Sequence, residues 1–360
     1  MMRVVIATDS FPAVSSARAG AAMGAAFAER GAQVAVVPIG AAGRGFGAAA
    51  ADLLGAPVEA LTLDDAILTL TRTPTVAVVT APAEVDPVDL EAPSGIDRSA
   101  SSLTLGRAAA LVLDEGTDEL VLEVGATAIH DGGAGLLAAL GATADVALDR
   151  GVDGLRGIGS LDLAPVRERL GTTSLTLVVS ADEAPRHLVG LRGITSVKGH
   201  AAGVVTDPAD LLALDQALVD LASACAAPEL ATTPGAGAAG GLGFAVLAVG
   251  GRVVTGSQWC SERAGLPTTA KAADLVVSGG GRLDFGTMGG EVLAHVTQLA
   301  GDALRPLVVV AGSNFISPRE LRSVGVEAAY SVRPGTEDVD TVTADEITEA
   351  TGPVAASWSW

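Results

Sequence analysis

Between Thr233 and Gly243 the chain places five glycines in eleven residues, Thr-Pro-Gly-Ala-Gly-Ala-Ala-Gly-Gly-Leu-Gly, and then enters the apolar run Phe244 to Val249. A segment so poor in side chains can bring backbone N–H groups up to a ligand and lead into a helix whose N-terminus attracts negative charge. That suits a phosphate; a tight helix entry is the plainer use of the same glycines. No clear strand ends before Gly235 and no Gly-Lys-Ser/Thr ending follows, so the segment is neither a dinucleotide fingerprint nor a P-loop. A second cluster, Gly125 to Gly135, contains His130-Asp131-Gly132-Gly133 and leads into Leu136, Leu137 and Leu140. Two such entries predict two walls of one cleft. A third junction runs from Val276 through Gly279-Gly280-Gly281-Arg282-Leu283-Asp284, and a fourth from Val308 to Gly312-Ser313-Asn314. Strand ends that repeat this way predict a small-molecule site rather than a protein-binding surface.

The chain has 360 residues, 49% of them hydrophobic, and a mean hydropathy of +0.46, enough for two cores. Its net charge of −20 repels nucleic acid and anionic membrane, and equally repels a nucleotide or a carboxylate, so any such site must gather its cations locally. Lysine occurs only at Lys198 and Lys271. No long apolar run and no leader-like start are present, and Cys225 and Cys260 are far apart, which together predict a reduced, cytoplasmic protein with both cysteines as buried small residues. The four histidines show no paired metal-ligand spacing. The sequence leaves the oligomeric state open.

The first forty residues read as strand, helix, strand: Val4 to Ala7, Ser16 to Arg30 and Gln33 to Val37. Residues from Glu59 to Val88 are rich in Thr, Val and Leu and read as β-rich, with Pro82, Pro87 and Pro93 punctuating their exit. A helix over Leu103–Glu115, a strand over Glu119–Val124, a strand from Leu175 to Ser180 and a helix from Pro208 to Cys225 follow, the stretch before the last reading as polar through His200. The last third returns to strands near Asp274 to Val277, Pro306 to Ala311 and Ala328 to Val332, with a helix at Gly290 to Leu299 and a last short helix near Ala344 to Glu349 before a fraying tail. The predicted fold is α/β in two domains: residues 1–58 plus 272–360 form a doubly wound parallel sheet, residues 59–271 form an inserted mixed α/β domain carrying the glycine-rich loops, and a ligand cleft lies between them. Asp9 and Ser10 fall where the first strand has ended, the edge at which open α/β sheets bind ligands; helix capping is their plainer use. Asp284 can hold Mg²⁺ and Arg282 can meet a phosphate or carboxylate, or the two can simply pair with each other.

The chain resembles the glycerate kinase family, two-domain α/β enzymes that phosphorylate glycerate with ATP and Mg²⁺. The resemblance rests on Val5-Ile6-Ala7-Thr8-Asp9-Ser10-Phe11, on Asp131-Gly132-Gly133-Ala134-Gly135 after Gly125, on Pro234 through Gly243, and on Gly281-Arg282-Leu283-Asp284 with Thr287. It implies that Asp9 and Ser10 line a pocket for a small hydroxy acid. Asp131, Gly132, Gly133, Gly235, Gly237, Gly240, Gly241, Gly281 and Arg282 would then bind the nucleotide, Asp182 or Asp284 would be base or Mg²⁺ holder, and Lys198 would meet the transferred phosphate. Against the family pattern, Pro12 stands for a lysine, Ala41 and Arg44 for two acids, His130 for an asparagine, Gly280 for a glutamate and Glu291 for a lysine. These replacements change charge at several candidate positions, so two readings follow. One is an ATP-dependent glycerate kinase; the other is a member that binds a metabolite, nucleotide or protein partner without turnover. A third has Arg44 and His130 reading the carboxylate of a different hydroxy acid.

Overall fold

The computed structural model describes residues 1–63, 66–81, 96–201, 207–286 and 288–359. Pro82, Pro87, Pro93 and Thr287 lie outside the described residues. The chain forms two compact units, Met1–Gly55 with Gly256–Trp360 (unit 1) and Ala56–Thr255 (unit 2).

In chain order, β1 (Arg3–Thr8), α1 (Ser16–Ala28), β2 (Gln33–Pro38) and α2 (Phe46–Leu54) begin unit 1. Unit 2 contributes β3 (Val58–Leu63), β4 (Ala66–Arg72), β5 (Val76–Ala81), α3 (Leu103–Glu115), β6 (Glu119–Val124), α4 (Ala134–Leu140), β7 (Thr143–Ala144), β8 (Leu161–Asp162), α5 (Ala164–Leu170), β9 (Ser174–Val179), α6 (Ile194–Ala201), α7 (Pro208–Ala224), α8 (Leu242–Ala248) and β10 (Arg252–Thr255). Unit 1 resumes with α9 (Gly256–Arg263), α10 (Leu266–Ala272), β11 (Leu275–Leu283), α11 (Gly290–Ala303), β12 (Leu307–Asn314), α12 (Pro318–Ser323), β13 (Ala328–Ser331) and α13 (Ala344–Trp358).

Unit 1 is built on a five-stranded, wholly parallel sheet in the order β13-β12-β11-β1-β2. Its strands are near-continuous apolar runs because both faces are covered. Val4, Ile6, Val277, Val308 and Val310 pack against Met23 and Phe27 of α1 and Ile347 and Val354 of α13. The two segments are stitched at the start of the sheet, where Asp274 accepts from the Arg3 backbone and guanidinium at 2.8 Å each. The unit resumes at Gly256 rather than at residue 272, because α9 and α10 carry buried residues, including Trp259, Cys260, Leu266 and Ala270, and Trp259 meets Phe46 of α2 edge-on at 5.4 Å.

Unit 2 has a six-stranded mixed sheet, β10-β9-β6-β5-β4-β3, with β5, β6, β9 and β10 parallel and β3 and β4 antiparallel. One face, including Ala77, Val79, Leu120, Leu122, Leu175 and Leu177, packs on α3, α4, α7 and α8. No helix among the described residues is long and apolar enough to cross a membrane.

Three elements depart from the expectations. The stretch before His200 is helical as α6, β11 continues through its three glycines to Leu283, and α13 runs to Trp358 instead of fraying after Glu349. A Thr343–Glu346 capping box starts α13, burial of Ile347, Thr351, Val354 and Ala355 holds it through Pro353, and Trp358 Nε1 donates to the Tyr330 hydroxyl at 3.0 Å. Tertiary packing here overrides a residue that ordinarily ends a helix.

Candidate functional site

In unit 1 the strand order reverses beside β1: β2 lies on one side and β11 on the other. Crevices at the carboxyl ends of such strands are where open α/β sheets bind ligands. Asp9 and Ser10 stand there, and Asp9 N–H donates to the Gly279 carbonyl at 3.0 Å, fixing the residue against β11. The Ser10 N–H donates to Asp9 Oδ1 at 2.7 Å and its hydroxyl lies 3.4 Å from the same oxygen. Burial is the largest influence on the Asp9 carboxyl and pushes it up to about 6; the Ser10 hydrogen bonds oppose this, the Glu291 charge adds to it, and Arg44 opposes it. Glu291 Oε1 in turn accepts from the Ser257 N–H at 3.0 Å and hydroxyl at 2.8 Å, at the start of α9.

Because Asp9 titrates near 6 when folded and near 3.8 when unfolded, the folded state holds the extra proton between those values, and stability falls as pH rises from about 4 to 6. Asp9→Asn is therefore expected to be more stable than the parent at pH 7, by about 1–2 kcal/mol after discounting for partial exposure, and no more stable at pH 3.5. Urea melts at the two pH values check this; equal stabilisation at both would mean that the carboxyl is not desolvated.

Arg282 and Asp284 form the plainer arrangement, an ion pair at 2.6 Å, with Asp284 also accepting from the Gly286 N–H at 2.9 Å. Arg44 is exposed, its charge reaching Asp9, while His130 is wholly buried in unit 2, which leaves the reading of a different carboxylate by Arg44 and His130 without support from either side chain's surroundings.

In unit 2, Asp131 is wholly buried and serves as a hub for the entry to α4. It accepts from the Ser102 N–H and hydroxyl at 2.8 Å, from Gly133 N–H at 2.9 Å and from Gly135 N–H at 3.1 Å. Burial raises its carboxyl above the usual range and these donors pull it back. Beside it, His130 Nε2 lies 3.0 Å from Thr195 Oγ1 of α6, and burial holds the imidazole neutral, down to about 3, with the Lys198 charge adding to the effect. Lys198, also on α6, donates to the carbonyls of Ile129 at 2.8 Å and Thr127 at 3.3 Å. Burial lowers its ammonium to about 8, with Glu183 and Asp131 opposing and Arg186 assisting. So Lys198, His130 and Asp131 are brought into one neighbourhood. Asp182 is not: its side chain is 73% exposed and pairs with Arg186 at 3.1 Å. Its neighbour Glu183 is half-buried, pairing with Arg186 at 2.7 Å and accepting the Ala239 N–H at 2.7 Å.

The glycine-rich segments are packed inward. Gly235 and Gly237 N–H both donate to the Arg186 carbonyl, Gly241 N–H to Gly237, and Gly132 N–H to Gly240. A Cβ on Gly240, whose φ is +69°, would fall 1.9 Å from the Ile129 carbonyl oxygen, and one on Gly237 would fall 2.0 Å from that of His187. These glycines let strands of backbone touch, and the donor that faces an anion, Ala239 N–H, already faces a carboxylate. Glu183, Thr195 and Ser257 escaped the sequence reading, and Glu291 entered it only as the replacement of a lysine; Thr195 and Ser257 each follow a glycine within two residues, while Glu183 stands beside Asp182. Cys260 is buried and Cys225 half-buried, and burial pushes both thiols up to about 12, which removes them as nucleophiles at neutral pH. Among the described residues no three His, Cys, Asp or Glu side chains gather as metal ligands.

The model of the glycerate kinase family matches residues 4–357 of the chain. The chain belongs to the glycerate kinase family. The glycerate kinase of Bacillus subtilis (strain 168) is 30% identical over 256 residues, 68% of this chain and 66% of that protein. The glycerate 2-kinase of Escherichia coli (strain K12) is 28% identical over 228 residues, 61% of this chain and 58% of that protein. The chain thus aligns over slightly less than two thirds of the curated family members' length. A crystal structure provisionally described as glycerate kinase 2, from Salmonella typhimurium LT2, superposes with a TM-score of 0.78 at 25% identity, covering 99% of this chain and 98% of that one. The doubly wound sheet of unit 1 and the mixed sheet of unit 2 are therefore the fold of a glycerate kinase family member.

Proposed function

We propose that the protein transfers the terminal phosphoryl group of ATP to a hydroxyl of glycerate. The observation that carries this reading is Asp9, a carboxyl at the switch edge of the unit 1 sheet that titrates near 6. A base that is ionised at neutral pH yet desolvated is matched to accepting a hydroxyl proton. Lys198 fits a phosphate, because its ammonium is desolvated and its hydrogen bonds go to neutral carbonyls. The N–H groups of Gly132, Gly133, Gly235, Gly237 and Gly241 do not fit that role, being engaged within unit 2. Mg²⁺ needs only one or two carboxylates beside substrate phosphates; of the two acids that the resemblance offers as its holder, Asp182 is exposed and paired with Arg186, and Asp284 is held by Arg282 and Gly286.

When bound, Mg²⁺-ATP supplies the phosphoryl group with part of its charge neutralised. Asp9 orients the acceptor hydroxyl and takes its proton as the oxygen attacks; Ser10 holds the carboxylate's other lone pairs in place. ADP release by purified protein with Mg²⁺-ATP, with and without D-glycerate, tests the reading. Glycerate-dependent release is expected, falling about tenfold per pH unit below 6 as Asp9 protonates. Folded protein with no release above the ATP-only background would leave the binding-without-turnover reading in its place.

A further inference from the structure

β6 and β9 run side by side and parallel, so the loops that leave their carboxyl ends open on the same edge of the unit 2 sheet. The loop after β6 supplies the Thr127 and Ile129 carbonyls that hold the Lys198 ammonium, and the loop after β9 supplies Glu183 and Arg186. Burial lowers that ammonium, and of the charges acting on it Glu183 and Arg186 come first. Two cations are thereby gathered at one sheet edge of a chain whose net charge is −20, the local concentration that an anion needs there.

A backbone donor meets them. Ala239 lies at φ +49°, ψ +49°, a left-handed conformation that strains an alanine, and the chain enters it from right-handed Gly237. Backbone that passes from right-handed to left-handed turns its N–H groups inward on a concavity suited to an anion. The Ala239 N–H is aimed at Glu183 Oε2 at 2.7 Å, while Arg186 Nη1 donates to Oε1 of the same carboxylate at 2.7 Å. Both oxygens of Glu183 are therefore held as two oxygens of a phosphate would be, by a guanidinium and a backbone N–H. Water reaches this arrangement: the Glu183 side chain is 16% exposed, that of Arg186 24%, and Lys198 is half-buried. Asp182, one residue earlier, already turns to solvent and accepts from the other terminal nitrogen of Arg186 at 3.1 Å.

We propose that Arg186, the Ala239 N–H and Lys198 form an anion site for a phosphate group, and that Glu183 is its internal occupant. The incoming phosphate takes over the Ala239 N–H and the Arg186 guanidinium, and the Glu183 carboxylate turns out to solvent as Asp182 does. This rests on the assignment of a phosphate to Lys198 and adds Arg186 to it. A singly charged carboxylate gains no more from the site than Glu183 already does. A phosphate carries more charge and a third oxygen for Lys198, so the internal occupant selects for phosphate.

Calorimetric titration of the full chain at about pH 6.5, where Lys198 stays charged, reads this with two probes: inorganic tripolyphosphate for the tail of a nucleotide, and 2-phospho-D-glycerate for a transferred phosphate. Glu183→Gln keeps an oxygen for the Ala239 N–H but removes the charge, and is expected to bind at least one probe about tenfold more tightly than the parent. Arg186→Met is expected to bind that probe about tenfold more weakly. Glu59→Gln removes the same charge from exposed β3 and should leave binding unchanged. The probe that responds identifies which phosphate the site takes. An unchanged affinity in folded Glu183→Gln, or an equal gain in Glu59→Gln, overturns the internal occupant. Should Glu183→Gln not fold, an unchanged affinity in Arg186→Met overturns the site, as does failure of both probes to bind the parent and every folded variant. Tighter binding in Glu183→Gln without glycerate-dependent ADP release by the parent upholds the anion site while the kinase reading alone fails. ADP release by the parent with no response at Glu183 leaves the kinase reading standing and overturns the internal occupant.

Discussion

Lys198→Met is expected to lower the proposed glycerate-dependent ADP release by about 10²–10³-fold at pH 7, the loss that follows removal of one charge-stabilising donor. The chain holds only one other lysine, Lys271, and at −20 overall it has little positive potential with which to compensate. The ammonium is anchored by the Ile129 and Thr127 carbonyls, so its position does not depend on a ligand. Those two bonds are neutral at the acceptor end, and their loss destabilises by about 1–2 kcal/mol, leaving the variant folded. The titration makes the claim specific. Lys198 is pushed down to about 8, so the proposed activity is expected to decline above that pH and, with the Asp9 limb, to follow a bell between about 6 and 8. Lys198→Arg, which stays charged, keeps the acid limb and loses the alkaline one. An alkaline limb that persists in Lys198→Arg would assign it to another group.

Gly240→Ala is expected to cost at least about 4 kcal/mol and to yield little soluble protein. The added Cβ would lie 1.9 Å from the Ile129 carbonyl oxygen, a backbone atom that cannot swing aside, and φ of +69° is itself strained for alanine. That carbonyl accepts from Lys198, and the Gly240 carbonyl accepts from Gly132 N–H, so relieving the clash breaks the entry to α4 as well. Urea denaturation, or the soluble fraction if the protein does not accumulate, measures it. A loss under 1 kcal/mol would show that the segment is loosely packed and free to receive a ligand.

These outcomes also mark where local sequence is informative. The helix over Leu103–Glu115 with Gly116 after it, and the strand Glu119–Val124, were readable to the residue, because periodicity and a C-terminal glycine are properties of the segment itself. The α6 helix was not, because Ile194 and Val197 are its only large apolar residues and its value lies in where it holds Thr195 and Lys198. The glycines of residues 235–243 were visible, but their use was not: the atoms that exclude a side chain belong to Ile129 and His187, distant in the chain. Asp182 and Glu183 are adjacent acids, and only the turn geometry decides that the second faces Ala239 while the first faces water. Asp9 was legible because a strand end in an α/β sheet is a positional signal that survives any change of partners.

The pairing of β1 with β11 joins Val4 to Leu275. During synthesis the ribosome therefore releases β1, α1 and β2 long before their central neighbour exists, and the whole of Ala56–Thr255 is made in between. A chain that had to close so long a loop from the unfolded state would form this sheet slowly. Here the intervening stretch is a unit with its own core, able to fold as soon as it emerges, so the order of events is set by the direction of translation: the insert matures first, and the early strands wait as the aggregation-prone partner until β11 arrives.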